Sequence, residues 1–352
     1  MLNSEGLNLT VSGDHYTTRY KPERPFFSTT ESQSLPILNL PTVEGLKRLE
    51  IKSARILSIT GSGQILDYAA LLERSGAIKS LGLVDYNPSQ NIFVAYLLTQ
   101  AVIAQETGEA VRDRIIATRP PEIREIFSGR MFELFPDLED YFTFLPADLF
   151  SLLAHKFVCA DAADMKPEEC DDWFTFNTDN FRYYFLLLDE LAESLVSMVK
   201  TGKVRFHLGS MEDFRPVKAG EFHLIYTSDV HPHITRVELE RFIDTIELLL
   251  HPRGMCMVSG FGTDCMSIAT GEARREEELF KVLKEKASLY PIVDDHKWRR
   301  VNEKSLVEEL GFEGESAEDW FNFLRSGPYG LNPKQHMPIL LLKPEGMTRL
   351  FG

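Results

Sequence analysis

Apolar positions along this chain switch repeatedly between the two-residue rhythm of a strand and the three-to-four-residue rhythm of a helix. Arg55-Ile56-Leu57-Ser58-Ile59 is β-prone, gives way to the small residues Thr60-Gly61-Ser62-Gly63, and runs through Gln64-Ile65-Leu66-Asp67-Tyr68 into a helical pattern reaching Arg74. Leu81-Gly82-Leu83-Val84 is a second strand ending at Asp85. Behind it Ile92, Val94, Ala95, Leu97, Leu98 and Val102 recur at helical spacing, with Asn87 or Ser89 placed to cap the helix. Residues 41–52 begin with Pro and predict a short helix leading into the first strand. The chain thus opens as β-α-β-α.

Between about Gln105 and Lys203 the alternation stops. Helical segments are expected around Pro121–Phe135, Leu138–Lys156 and Phe181–Val199, with Asn177–Phe185 as a polar and aromatic helix start. This predicts a helical insertion, long enough to be a lobe that faces the substrate. Strand patterns return at Val204–Leu208 and Phe222–Tyr226, followed by a helix Val237–Leu250 with Leu239, Phe242, Ile243, Ile246, Leu249 and Leu250 in one stripe. Pro252-Arg253-Gly254 is expected to close that helix before a strand from Met255. A charged helix Glu272–Leu289, a second at Lys304–Leu310, a strand starting at Gly311 and a last buried strand Pro338–Leu342 complete the reading. Residues 1–40 show no long periodicity and are expected to form an extended arm whose Tyr16, Tyr20, Phe26 and Phe27 cover an apolar surface, or form a flap over a ligand.

The fold class implied is α/β, a doubly wound sheet with a helical insertion after the second strand. The domains expected are an arm and lead-in helix (1–52), a nucleoside-binding α/β unit (53–104 and 204–345) and an insertion (105–203). In such sheets the ligand sits outside the carboxyl ends of the strands. Two glycines allow close backbone approach there, and Asp85, 22 positions beyond Gly63, is placed to accept both hydroxyls of a ribose. Nicotinamide or flavin binding is the rival reading of such a loop, but the strict GxGxxG fingerprint is absent.

Composition changes the picture only in excluding partners. The 352 residues carry a formal charge of −15 and a pI near 5.1, a field that repels nucleic acid and anionic membrane surfaces on average. No signal-peptide pattern or bilayer-length apolar run is present in the sequence, so a cytoplasmic protein without an integral membrane segment is expected. Cys159, Cys170, Cys256 and Cys265 form no CxxC pair and are expected to be reduced and packed, with no metal site.

The element order, together with Asp85, the loop Gly209-Ser210-Met211-Glu212-Asp213, the strand end Tyr226-Thr227-Ser228-Asp229-Val230-His231 and the Pro252-Arg253-Gly254 turn, resembles the class I S-adenosylmethionine-dependent transferase fold. The wording Ile56–Gly63, Leu66-Asp67-Tyr68 and Val84-Asp85-Tyr86-Asn87-Pro88-Ser89-Gln90 is similar to a narrower group, the S-adenosylmethionine:diacylglycerol 3-amino-3-carboxypropyl transferases of betaine-lipid synthesis. An ordinary methyltransferase of this fold has an acidic residue at the place of Ser58 and a longer glycine series, and many members have an Asp at Ser210. What the resemblance implies is S-adenosyl-L-methionine as cofactor, held by Thr60, Gly61, Ser62, Gly63, Asp85, Asn87, Gln90, Ser210, Met211, Glu212 and Ser228. It implies transfer of the aminocarboxypropyl group to an acceptor hydroxyl, small-molecule or lipid, with peripheral membrane contact. Methyl transfer and non-catalytic nucleoside binding are the alternatives. A hydroxyl acceptor needs a base, for which His231 is the first choice and Asp229 the second, with Tyr226 orienting the acceptor; an unperturbed His titrates at about 6.5 and accepts a proton near neutrality.

Overall fold

The computed structural model describes residues 34–61, 63–86, 88–105, 129–138, 191–211, 214, 218–228, 230, 236–261, 279–285, 288–293, 304–309 and 336–351. In chain order these form α1 (Ser34–Asn39), α2 (Val43–Arg48), β1 (Ala54–Ile59), α3 (Ile65–Arg74), β2 (Ile78–Asp85), α4 (Pro88–Ala104), α5 (Arg130–Leu134), α6 (Ala192–Lys200), β3 (Val204–Leu208), β4 (Phe222–Tyr226), α7 (Arg236–Leu249), β5 (Leu250–Phe261), β6 (Tyr290–Val293), β7 (His336–Leu342) and α8 (Pro344–Phe351). Residues 279–285 and 304–309 are also helical.

The seven strands form one sheet in the order β3-β2-β1-β4-β5-β7-β6. The first five run parallel, and β7 is antiparallel to both β5 and β6. This is the doubly wound α/β sheet the alternation predicts. The chain moves outward from β1 through β2 to β3, then returns to the other side of β1 for β4, so the topological switch lies between β1 and β4. A crevice at the carboxyl ends of these two strands is where such sheets bind ligands.

Both faces of the sheet are covered, and the strand residues alternate between two apolar clusters. Ile56, Leu81, Leu83, Phe206, Leu224, Met255 and Leu340 pack on the side of α1 to α4 and α6. Leu57, Val84, Ile225, Cys256, Val258, Ile339 and Leu341 pack on the side of α7 and helical residues 279–285. Helix α4 presents buried side chains around most of its circumference, as a helix enclosed by protein does. Its polar residues are matched internally: Thr99 Oγ1 donates to Ala95 O at 2.8 Å and Gln100 Nε2 to the Tyr96 hydroxyl at 2.8 Å. No described helix is long and apolar enough to cross a membrane.

Several boundaries depart from the sequence reading. Residues 34–39, expected in an extended arm, form α1, with Ile37, Leu38 and Leu40 buried in the main core. Pro36 lies in the first turn, where a missing N–H costs no helical bond, and six residues are too few to show a period. The lead-in helix is α2, whose Thr42 accepts the Gly45 N–H; the preceding Pro41 carbonyl takes the buried Tyr68 hydroxyl at 2.5 Å. Pro252-Arg253-Gly254 does not separate helix from strand, because β5 starts at Leu250. Its register against β4 jumps from Phe222↔Leu250 to Leu224↔Met255, so His251–Gly254 bulge from the ladder. Strand β6 was not expected: Pro291 reads against a strand, yet β6 is an edge, where a missing donor is tolerated.

Of the expected insertion, α5 and α6 are described. Helix α6 packs against α3 and α4 in the layer that covers the sheet. The arm's Tyr16, Tyr20, Phe26 and Phe27, the segment Asn177–Phe185, the strand from Gly311, and Cys159, Cys170 and Cys265 lie outside the described residues.

Candidate functional site

At the carboxyl edge of β1 the chain turns sharply on glycine. Gly61 and Gly63 have φ of +46° and +85°, in the left-handed region that side chains with a Cβ avoid. A Cβ on Gly61 would meet Gln64 Oε1 at 2.9 Å, and one on Gly63 would meet Leu66 Cδ1 at 3.0 Å. The turn is closed by Gly63 N–H donating to Thr60 O at 2.9 Å, and is tied to β2 by Thr60 N–H donating to Val84 O at 3.0 Å. The amino end of α4 pins it further. Gln90 Nε2 donates to Gly61 O, and the Thr60 hydroxyl donates to Asn91 Oδ1 at 2.5 Å.

Asp85 is the last residue of β2 and is 8% exposed. Its main-chain oxygen accepts the Gly209 N–H at 2.9 Å, so the loop leaving β3 is held against the end of β2. Met211 on that loop is buried and Ser210 half-buried. Across the switch, β4 ends in Tyr226, whose buried ring joins the α3/α4-side cluster. The backbone pairing continues beyond it, through Thr227 N–H to Met257 O at 3.0 Å and Ser259 N–H to Ser228 O at 3.1 Å. Ser228 is buried at φ +53°, a conformation a non-glycine residue holds only when its surroundings impose it.

The structure therefore brings Thr60, Gly61, Gly63, Asp85, Gln90, Ser210, Met211, Tyr226 and Ser228 to the carboxyl ends of β1 to β4. Thr60 and Gln90 spend side-chain hydrogen bonds on shaping the loop. Ser62, Asn87, Glu212, Asp229 and His231 lie outside the described residues. Ser58, at the position where an acid is ordinary for the fold, donates its hydroxyl to Ile59 O at 2.7 Å inside the sheet. Asn91 was missed by sequence reasoning. It sits within an apolar helical run, and only its position one turn into a helix beside a glycine loop marks it.

Histidine 207 lies behind this edge, ring edge-on to Phe214 with centroids 5.4 Å apart. Burial, assisted by Arg205, lowers its pKa to about 4, so it is neutral near pH 7. A cavity of about 770 Å³ opens at the other, amino-terminal edge of the sheet, among Lys218, Asp244, Glu247, His251 and Lys343. It is at the far ends of β4 and β5 from Tyr226 and Ser259, and its mixed charges select no ligand class.

A cofactor of nucleoside type fits what is present. The left-handed glycine turn stands at the carboxyl edge of the sheet, next to the end of β2, where Asp85 carries a carboxylate of the kind that accepts a diol.

No protein-family model and no curated protein matches the chain. Among solved structures it is similar to phosphoethanolamine N-methyltransferase 2 of Haemonchus contortus, in complex with phosphomonomethylethanolamine and S-adenosylhomocysteine, at 14% identity over 44% of this chain and 41% of that one, with TM-score 0.24. The chain thus spans less than half the length of that enzyme. It is also similar to the YcgJ protein of Bacillus subtilis, at 12% identity, 85% and 97% coverage and TM-score 0.31. A TehB-like SAM-dependent methyltransferase of Corynebacterium glutamicum shares 11% identity, with 85% and 87% coverage and TM-score 0.30. Likeness at this level bears on neither activity nor substrate.

Proposed function

We propose that this chain is an S-adenosylmethionine-dependent transferase. The observation that carries the reading is the placement of Asp85: a nearly buried carboxylate at the end of β2, its backbone tied to the β3 loop, beside a left-handed glycine turn at the sheet's switch point. Gly61 and Gly63 let the main chain approach the cofactor, Asp85 takes the ribose hydroxyls, and the Gly209–Met211 loop flanks the base. Bound there, S-adenosylmethionine supplies three electrophilic carbons at its sulfonium, and the protein's part is to align an acceptor with one of them and exclude water.

The group transferred is read as 3-amino-3-carboxypropyl and the acceptor as a hydroxyl, of a small molecule or a diacylglycerol-like lipid, on the resemblance of Ile56–Gly63 and Val84–Gln90 to the betaine-lipid enzymes. In that reading His231 or Asp229 takes the acceptor's proton and Tyr226 orients it. Methyl transfer is the alternative from the same pocket, and cofactor binding without catalysis is the third.

The test is the product. Purified protein incubated with S-adenosylmethionine and candidate acceptors releases methylthioadenosine if the aminocarboxypropyl group moves and S-adenosylhomocysteine if methyl moves. Release of neither, with no heat on titrating S-adenosylmethionine, rejects the enzymatic reading altogether.

A further inference from the structure

We propose that Asn91 is a positioning residue that clamps the glycine turn and the end of β3 on either side of Asp85 and thereby sets the shape of the cofactor crevice. The inference rests on the reading above for the identity of the ligand, and on geometry alone for the clamp. Asn91 is fully buried in the first turn of α4. Its Oδ1 accepts the Thr60 hydroxyl at 2.5 Å, and its Nδ2 donates to His207 O at 3.0 Å. The orientation of the amide follows from its partners. A carbonyl only accepts, so the amide NH₂ must face His207, which leaves Oδ1 to face Thr60 and obliges that hydroxyl to donate. Asn places its acceptor and its donor on two separate terminal atoms, so one side chain reaches both partners.

The two anchors lie on strands that are not neighbours. Thr60 is the first residue past β1 and opens the glycine turn. His207 precedes Leu208 and Gly209, where β3 gives way to the loop carrying Ser210 and Met211. Strand β2 runs between them and ends in Asp85. Asn91 therefore spans the strand that carries the ribose-binding carboxylate, holding the glycine turn on one side of it and the end of β3 on the other. Gln90, one residue earlier, holds Gly61 O, and Asp85 O holds Gly209 N. The glycine turn, Asp85 and the β3 loop are thus one hydrogen-bonded unit referenced to the amino end of α4. Local preorganisation of this kind affects binding far more than it affects global stability, because small displacements of a cradle lose ligand contacts without unfolding anything.

The experiment compares Asn91→Leu with Gln100→Leu, which deletes a buried amide of the same helix two and a half turns away, bonded to Tyr96. Both variants are expected to lower Tm by similar amounts. Only Asn91→Leu is expected to weaken S-adenosylhomocysteine binding, by tenfold or more in calorimetry. Thr60→Val, which removes the hydroxyl alone, should lose at least fivefold, and Thr60→Ser should stay within twofold of the parent. Hydrogen exchange on the ligand-free protein reads the clamp separately: Asn91→Leu or Thr60→Val should lose protection at the Gly63 and Gly209 amides while the interior of α4 keeps it. Unchanged protection at those amides overturns the proposal, as does equal loss of binding in Gln100→Leu. A parent that binds no S-adenosylhomocysteine while the variants still lose protection rejects the cofactor reading and supports the clamp.

Discussion

His223 and His251 stack across the start of β4 and β5, ring centroids 4.7 Å apart and planes 29° from parallel. Each Nδ1 accepts a backbone N–H, from Arg55 at 3.1 Å and from Arg253 at 3.2 Å, so each ring is held neutral with its proton on Nε2. Burial first, then His251, Arg55, Arg253 and Lys79, lowers the His223 pKa to about 4. Burial and Arg253 likewise lower that of His251, with Glu345 opposing. The unfolded chain, titrating near 6.5, binds protons that the native state refuses. Stability conferred by the pair is therefore complete above about pH 6.5 and is lost as pH falls toward 4. His223→Asn keeps an acceptor for Arg55 N–H without a titrating ring. Its Tm should fall less steeply from pH 6.5 to 4.5 than the parent's. Buried His207, lowered to about 4 by its surroundings, keeps some slope in the variant. Identical slopes would show that the stack does not titrate on unfolding.

The glycine turn and the distant Gly76 separate backbone strain from steric conflict. Both Gly63 and Gly76 hold positive φ, +85° and +65°, but a Cβ on Gly76 meets nothing within 4 Å, whereas one on Gly63 meets Leu66 at 3.0 Å. Gly76→Ala should cost about 1 kcal/mol, the ordinary penalty for a left-handed alanine. Gly63→Ala should cost more, about 2 kcal/mol, and in addition lower affinity for S-adenosylmethionine, because the turn must shift where the ligand approaches. Denaturant midpoints with paired calorimetry would separate the two effects. Equal destabilisation with intact binding in both would remove the turn from the site.

Much of this architecture was legible because its signals are local. A β-prone run, small residues and a helical stripe mark β1, the turn and α3, and Asp85 stands out as the polar residue that ends an apolar strand. What stayed hidden depends on contacts distant in sequence. Helix α1 is stabilised by Ile37, Leu38 and Leu40 in a core built by later elements. Strand β6 carries a proline that is tolerated because, among the described residues, β6 is an edge of the sheet. Strand β5 begins early because Leu250 pairs with Phe222 ahead of a bulge, a register choice that no helix-stop signal reveals. Asn91 looked like any polar residue near a helix start until Thr60 and His207 were placed on either side of it.

Cys256 pairs with Ile225 and Leu341 on its neighbouring strands and is fully buried, and burial pushes its thiol well above the usual range. Only the thiolate reacts, so this cysteine should be inert in the folded protein. Brief alkylation with iodoacetamide at pH 8, followed by peptide mass mapping, should leave Cys256 unmodified natively and fully modified in denaturant. Native labelling of Cys256 at the rate of a free thiol would mean that β5 opens far more often than a central strand should.

In the proposed cofactor complex Asp85 carries ligand recognition, and its two roles can be taken apart. In the proposed complex its carboxylate accepts the ribose hydroxyls, whereas its main-chain oxygen holds Gly209 N–H and survives any substitution. Hydrogen bonds to a charged group are worth about 1.5–3 kcal/mol, so Asp85→Ala should weaken S-adenosylmethionine binding by about ten- to a hundredfold. Asp85→Asn keeps one acceptor and should fall between that variant and the parent. The backbone bond to Gly209 persists in both variants, so the loop leaving β3 keeps its anchor. Titration calorimetry on the three proteins, with thermal unfolding alongside, makes the comparison. Parental affinity in Asp85→Ala would detach the carboxylate from the ligand and, with it, the argument that this sheet edge binds a ribose.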